Sequence, residues 1–266
     1  MTDRPAEPDP LAPLIATLHE GRRPRVWSMI VTVFGDAIVP RGGELPLARL
    51  QVLMARIGVE AGTTRTALSR LGRDGWVTRR RIGRASLYNL SDRALAETLK
   101  AMDRIYAPPE TSDTWALHLG AAPNGHALQI GPAAWLAPVM QAPSPPATTG
   151  YLQDTPSRPL PDAILSPEHR QARDLLVRDL AVLPPEQAVD LTPLEAMAAR
   201  VLLMHRWRRY ALRFPQPLPG TDPRAEVAAA YAALFPASEA WLDSAADGLD
   251  PMVPFKTVSP PRFGRV

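Results

Sequence analysis

The sequence predicts an α+β fold, and three observations carry that expectation. A front third holds helical apolar stripes that close on a β-hairpin pattern, a proline-rich middle holds short β-prone runs, and helical periodicity returns after residue 166. With 266 residues and 45% hydrophobic side chains, the chain has material for two or three domains with sizeable cores.

The front elements follow from spacing. Val26, Met29, Ile30, Val33 and Phe34 recur at three and four, the stripe of an amphipathic helix over 25–39, and Pro40, Arg41, Gly42 and Gly43 end it. A second stripe, Leu47, Leu50, Val52, Leu53, Met54 and Ile57, stops at Gly58, and the short segment to Gly62 suits a tight helix-helix turn. A third helix is expected from about Thr63, capped by the hydroxyl of Thr63 or Thr64, with Ala67, Leu68 and Leu71 inward and Asp74-Gly75 at its end. Two β-prone runs then flank Ile82-Gly83-Arg84, where Gly83 can take the positive φ of a hairpin turn, and Trp76 is expected to plug the space between helix and hairpin. Ser91-Asp92 caps a further helix through Leu95, Leu99, Met102 and Ile105, closed by Pro108-Pro109. The order helix, helix, turn, helix, two-stranded wing is that of a winged helix-turn-helix with a linker helix over residues 22–106.

Behind it the pattern weakens. TWALHLGAA and HALQIGPAAWL read as two short strands, and residues 138–162 hold seven prolines, so 107–165 is expected to form a small, irregular β-containing middle domain with a loop-rich connection. Helices are expected at 167–183, 192–213 and 223–246, giving a helical C-terminal domain over 166–249, with residues 1–21 and 250–266 as irregular tails.

Charge separates the two halves. Residues 1–106 carry a balance of +6 and residues 107–266 a balance of −3, and the excess concentrates between 60 and 93. With Ala67, Leu68 and Leu71 inward, Thr63, Thr66, Arg70 and Arg73 share the outer stripe of the third helix, flanked by Arg65, Ser69 and Thr64. Such a face suits the major groove, because arginine pairs with guanine and threonine meets phosphate or a thymine methyl. Arg79, Arg80, Arg81 and Arg84 crowd a hairpin tip, where a phosphate backbone would relieve their repulsion. The rival reading of each arginine is compositional: only Lys100 and Lys256 are lysines, as a GC-rich coding bias produces.

Other function classes fare worse. There is no cysteine, the five histidines show no metal-ligand spacing, and neither metal nor cofactor is expected. No apolar run approaches the roughly 20 residues of a membrane span, and the acidic, proline-bearing start lacks the pattern of an export signal, so a cytoplasmic location is expected. A metal-dependent, nuclease-like enzyme would want clustered carboxylates at strand ends, whereas Glu110, Asp113, Asp154 and Asp162 fall outside the expected strands. The chain is therefore not expected to be an enzyme. A protein-interaction module built on the same winged helix is the other alternative, and the arginine-loaded wing argues against it.

PRGGE (40–44), RTALSRL (65–71), DGWV (74–77), GRASLYNLS (83–91) and VTVFGD (31–36) together resemble the winged-helix domain of PaaX-like repressors. LMHRWRRYALRFPQPLP (203–219) and YAALFP…WL (231–242) are similar to that family's helical third domain. The resemblance implies a dimeric repressor of phenylacetate catabolism, a ferredoxin-like middle domain, an operator in double-stranded DNA, and release by phenylacetyl-CoA or another acyl-CoA of an aromatic pathway. For such an effector, Arg206, Trp207, Arg208, Arg209 and Tyr210 form a candidate cluster, in which Arg206, Arg209, Tyr210 and Arg213 share one helical face while Leu202, Leu203 and Trp207 also read as core.

Overall fold

The computed structural model describes residues 9–19, 25–109, 115–123, 127–138, 147–150, 165–183, 190–214, 222–245, 248–256 and 262–264. They form helices with two small antiparallel sheets, an α+β fold.

Helix α1 (Ala12–His19) lies in the segment expected to be an irregular tail. The Asp9 carboxylate accepts the Leu11 N–H at 2.9 Å, and Leu11 and Leu14 are buried. Two turns give too few repeats for a stripe to stand out in the sequence. Helix α2 (Val26–Val33) is buried over most of its circumference, as its apolar composition requires, and it continues through a π turn at Phe34–Ile38 and a 3-10 turn at Val39–Arg41. The π turn carries Gly35, where a Cβ would lie 3.1 Å from Thr98 Cγ2, so only glycine lets the neighbouring helix approach without a shift.

Helices α3 (Leu47–Arg56) and α4 (Ala61–Arg73) follow, joined through Gly58 at a φ of 83°. α4 starts before Thr63, from Glu60 with no side-chain cap. Thr64 does not cap it but sits on its buried face, its hydroxyl donating to the Glu60 carbonyl at 3.2 Å. Strands β1 (Leu45–Pro46), β2 (Val77–Ile82) and β3 (Ala85–Leu90) form a sheet in the order β1-β3-β2, with Val77 opposite Leu90 and Ile82 opposite Ala85. Gly83 takes a φ of 55° in the turn of this hairpin. Ser91 accepts the Ala94 N–H and caps α5 (Asp92–Ile105).

The middle region contributes β4 (Trp115–Leu119), β5 (Leu128–Gly131), β6 (Ala134–Pro138) and β7 (Ala147–Gly150), ordered β5-β6-β4-β7 and antiparallel throughout. The second expected strand is thus a hairpin turning at Pro132-Ala133, and β7 lies inside the proline-rich stretch expected to be loop. That strand order is the one a β-α-β-β-α-β unit produces, but only 120–127 and 139–146 connect β4 to β5 and β6 to β7. Glu110, Asp113, Asp154 and Asp162 lie outside the described residues.

Helix α6 (Pro167–Val182) starts at the Ser166 cap, and α7 (Pro193–Arg213) at a capping box between Thr192 and Glu195. α8 (Arg224–Asp243) follows, and Arg262–Gly264 form a 3-10 turn. One core cluster runs from Leu11 to Phe263 and takes in α2, α4, α7 and α8. At its centre Asp36 is 2% exposed. One carboxylate oxygen accepts from Tyr106, Tyr231 and Arg262 at 2.6, 3.2 and 2.8 Å, and the other from Arg200 at 2.7 Å. Arg200 also binds Glu239, which binds Arg41, so buried charges alternate in sign from α2 through α7 to α8. Burial would raise the Asp36 carboxyl, but Arg200 and Arg262 outweigh it and hold it below the usual carboxylate value. Arg262 and the Phe263 ring, packed on Tyr106, thus draw part of the segment expected to be an irregular tail into the core.

Removing one member of this cluster strands the others. Arg200→Met is expected to lower unfolding free energy by about 3–5 kcal/mol in urea titration, and a loss below about 1 kcal/mol would contradict the assignment. His205, on α7 beside Thr32, gives a pH-dependent check. Burial, then Arg208, Arg209 and Arg206, push its pKa down from 6.5 to about 3, so the folded state disfavours the charged ring. Its contribution is whole above pH 6.5 and is lost as pH falls toward 3. Between pH 6.5 and 4, His205→Gln should therefore lose stability less steeply than the parent in melting curves, and parallel slopes would contradict this.

A candidate nucleic-acid interface

Helix α4 is amphipathic in the sense its spacing predicts. Thr64, Ala67, Leu68 and Leu71 are buried, while Thr63, Arg65, Thr66, Ser69, Arg70 and Arg73 are exposed. Thr64 is therefore separated from the other candidate contacts. Thr66 donates to the Gly62 carbonyl at 3.0 Å, which leaves its methyl and oxygen lone pairs on the surface, and Arg70 lies 3.7 Å from Asp74 one turn on.

The hairpin splits its cations between two faces. Arg79 and Arg81 stand opposite Tyr88 and Ser86, whereas Arg80 stands opposite Leu87 on the other face. Arg79 donates to Ser86 Oγ at 2.7 Å. Arg80 donates to Glu44, just before β1, at 2.6 Å, and this partly exposed pair tethers one wing cation to the sheet edge. Arg81 and Arg84 are exposed. Trp76, which joins α4 to β2, is half-buried against the core, and its backbone N–H donates to the Leu71 carbonyl at 2.8 Å.

The second candidate cluster lies on α7. Arg206 pairs with Asp179 and donates to the Thr17 carbonyl, tying α7 to α6 and α1. Tyr210 is buried, and its hydroxyl lies 2.8 Å from His169 Nε2, whose ring stacks on Phe214 at 4.1 Å. Burial, then Arg173, lowers the His169 pKa to about 4, and burial, then Asp222, raises Tyr210. Arg213 pairs with Glu168, and Arg209 is exposed. Burial of its stem, then Arg206, Arg25 and Arg213, lowers the Arg209 pKa. Arg206 and Tyr210 thus serve packing within the helical layer, and Arg209 and Arg213 face solvent.

Residues 25–94 match the family described as PaaX-like protein. The transcriptional repressor PaaX of Escherichia coli strain K12 is 40% identical over 94 residues, which are 35% of this chain and 30% of the repressor. Residues 25–94 are thus similar to PaaX-like proteins. This segment holds every residue of the α4 and hairpin surface, from Thr63 to Arg84. The chain covers less than a third of that repressor's length. A solved structure, an uncharacterized protein from Mycobacterium tuberculosis, aligns with 70% of this chain and 85% of its own at 17% identity and a TM-score of 0.35.

The burial of the cations Arg41, Arg49, Arg200 and Arg262 escaped the reading of the sequence, and Arg208, named there only within the α7 cluster, is partly buried. Arg49 left a trace, since it interrupts an apolar stripe; it donates to the Trp241, Ser244 and Asp250 carbonyls. Asp36 left one as well, an acid inside an apolar helix.

The two faces of α4 are separable by adjacent substitutions. Thr63→Lys should change stability by no more than about 0.5 kcal/mol. Thr64→Lys, which drives a cation into the core, should cost about 3 kcal/mol or more. Equal effects in denaturant unfolding would contradict this orientation of α4.

Proposed function

We propose that this chain is a cytoplasmic, DNA-binding transcriptional repressor in which residues 22–106 act as a winged helix-turn-helix. The observation that carries this reading is the exposed cationic stripe of α4 beside an arginine-rich hairpin, within the segment that is PaaX-like. α4 enters the major groove, where Arg70 and Arg73 reach base edges and Thr63, Arg65, Thr66 and Ser69 meet phosphates or methyl groups. The hairpin lies along the adjacent backbone with Arg79, Arg80, Arg81 and Arg84 on phosphates. A homodimer presenting two such surfaces would bind half-sites about one helical turn apart. The operon is one of aromatic or acyl-CoA catabolism, and an acyl-CoA-type effector releases the protein, its phosphates attracted by exposed Arg209 and Arg213. Among the described residues, no group of three or more acidic or histidine side chains could hold a metal, and no helix is long and apolar enough to cross a membrane.

Sequencing DNA fragments retained by the purified protein, followed by binding titrations on the enriched site, tests this reading. Affinity should fall steeply with salt, by about 0.9 in the log–log slope for each phosphate neutralised. Arg70→Ala should cost about 1–3 kcal/mol and relax one base position, while Arg80→Ala should weaken all sequences alike and lower the slope by about one. Retention of fragments without any shared sequence would overturn the reading.

A further inference from the structure

A cavity of about 210 Å³ lies between the α2 turn, α5 and α7, apart from both the α4 surface and the exposed arginines of α7. Ala101 and Met102 of α5, Met204 and Leu212 of α7, Val31 of α2 and the Trp76 side chain give it apolar walls. Of the polar groups on its lining, Asp36 and Tyr106 are bonded to each other, the Thr32 hydroxyl donates to the Ser28 carbonyl, Glu97 pairs with Arg93 one turn earlier on α5, and Thr98 also lines it.

Arg208 is different. Its Nη2 donates to Ser28 Oγ at 2.8 Å and to the Ser28 carbonyl at 3.2 Å, while its buried Nε has no hydrogen-bond partner. Among the described residues no carboxylate forms an ion pair with it, whereas buried Arg41, Arg200 and Arg262 each pair with an acid. Burial, then the neighbouring Arg209, lowers its pKa, as an uncompensated cation requires. A carboxylate is the group that best relieves a guanidinium with a spare N–H.

Volume sets the rest of the ligand. A dry apolar cavity of roughly 150 Å³ accepts benzene, so one of about 210 Å³ takes a single ring with a short arm and excludes a nucleotide. From α7's pitch, Met204, Arg208 and Leu212 share one face, and Arg206, Arg209, Tyr210 and Arg213 lie round the helix from it.

We propose that this cavity is a binding site for a small monocarboxylic acid bearing one apolar ring, with the carboxylate on Arg208 and the ring between α5 and Trp76. It is a site apart from the exposed Arg209 and Arg213 on which the acyl-CoA reading draws. It stands on its own as a binding site and rests on the repressor reading for its consequence alone: Trp76 links α4 to β2, and the backbone N–H of Ser91 bonds to the Trp76 carbonyl at 2.9 Å.

Calorimetric titration of the full chain with benzoate, without DNA, tests the proposal, with benzamide and benzoyl-CoA as comparison probes. Saturable one-site binding of benzoate is expected, about tenfold or more weaker in Arg208→Met, with little change for benzamide. Ala101→Phe, which fills the cavity, should abolish it while the melting transition is retained; if that variant does not fold, Leu212→Trp serves the same purpose. No saturable binding of benzoate, unchanged affinity in Arg208→Met or in the folded filling variant, or binding of benzoyl-CoA alone overturns the proposal. Loss of operator binding by the parent protein, measured without benzoate, counts against the repressor reading and leaves this one standing.

Discussion

An aspartate in the middle of an apolar helix must find its partners or unfold the segment that carries it, and Asp36 dictates much of this architecture. Its two oxygens are satisfied by guanidinium groups from α7 and from the Arg262 turn and by phenols from the end of α5 and from α8. No local arrangement supplies that set. The front helices can shelter Asp36 only by docking on the rear ones, and the chain end must return to the same point. A hydrophobic replacement of the whole cluster could be as stable; the charges instead restrict which helices can meet at this point, because any misplaced partner leaves a buried ion alone.

The surfaces follow from that docking. With α2 held against α7, α5 runs beside both, and the glycine in the π turn lets Thr98 come close. The space left between α2, α5 and α7 is the cavity that Arg208 borders. α3 and α4 bury their apolar stripes inward, which leaves the arginines of α4 and of the hairpin in solvent. The cationic surface therefore stands on helices whose other face is packed in the core.

Elements whose information is local were readable. The stripes over 25–39 and 47–57, the Asp74-Gly75 stop, the Gly83 turn and the Ser91 cap each stand where spacing put them, and the outward face of α4 follows from Leu68 and Leu71. What stayed hidden depends on distant partners. Thr64 looks like a cap in sequence, but α4 starts a turn earlier and rotates it into the core. β7 has no alternation of its own and is a strand because β4 lies beside it. Arg262 and Phe263 look like tail residues because the Asp36 carboxylate and the Tyr106 ring that hold them lie far away in the chain. Arg208 sits among four basic and aromatic neighbours in sequence; helical spacing turns it away from Arg206 and Arg209, but only the packing of α2 and α5 shows that its face is covered.

The central claim is that the front helices and the rear helices share one core fastened at Asp36. Native-state hydrogen exchange across increasing denaturant tests it most directly, by comparing the opening free energies of amides in α2 and α4 with those in α7 and α8. A shared core predicts that the slowest amides of both sets converge on a single global unfolding free energy. Two separate plateaus, with α2 and α4 opening while α7 and α8 stay protected, would contradict it.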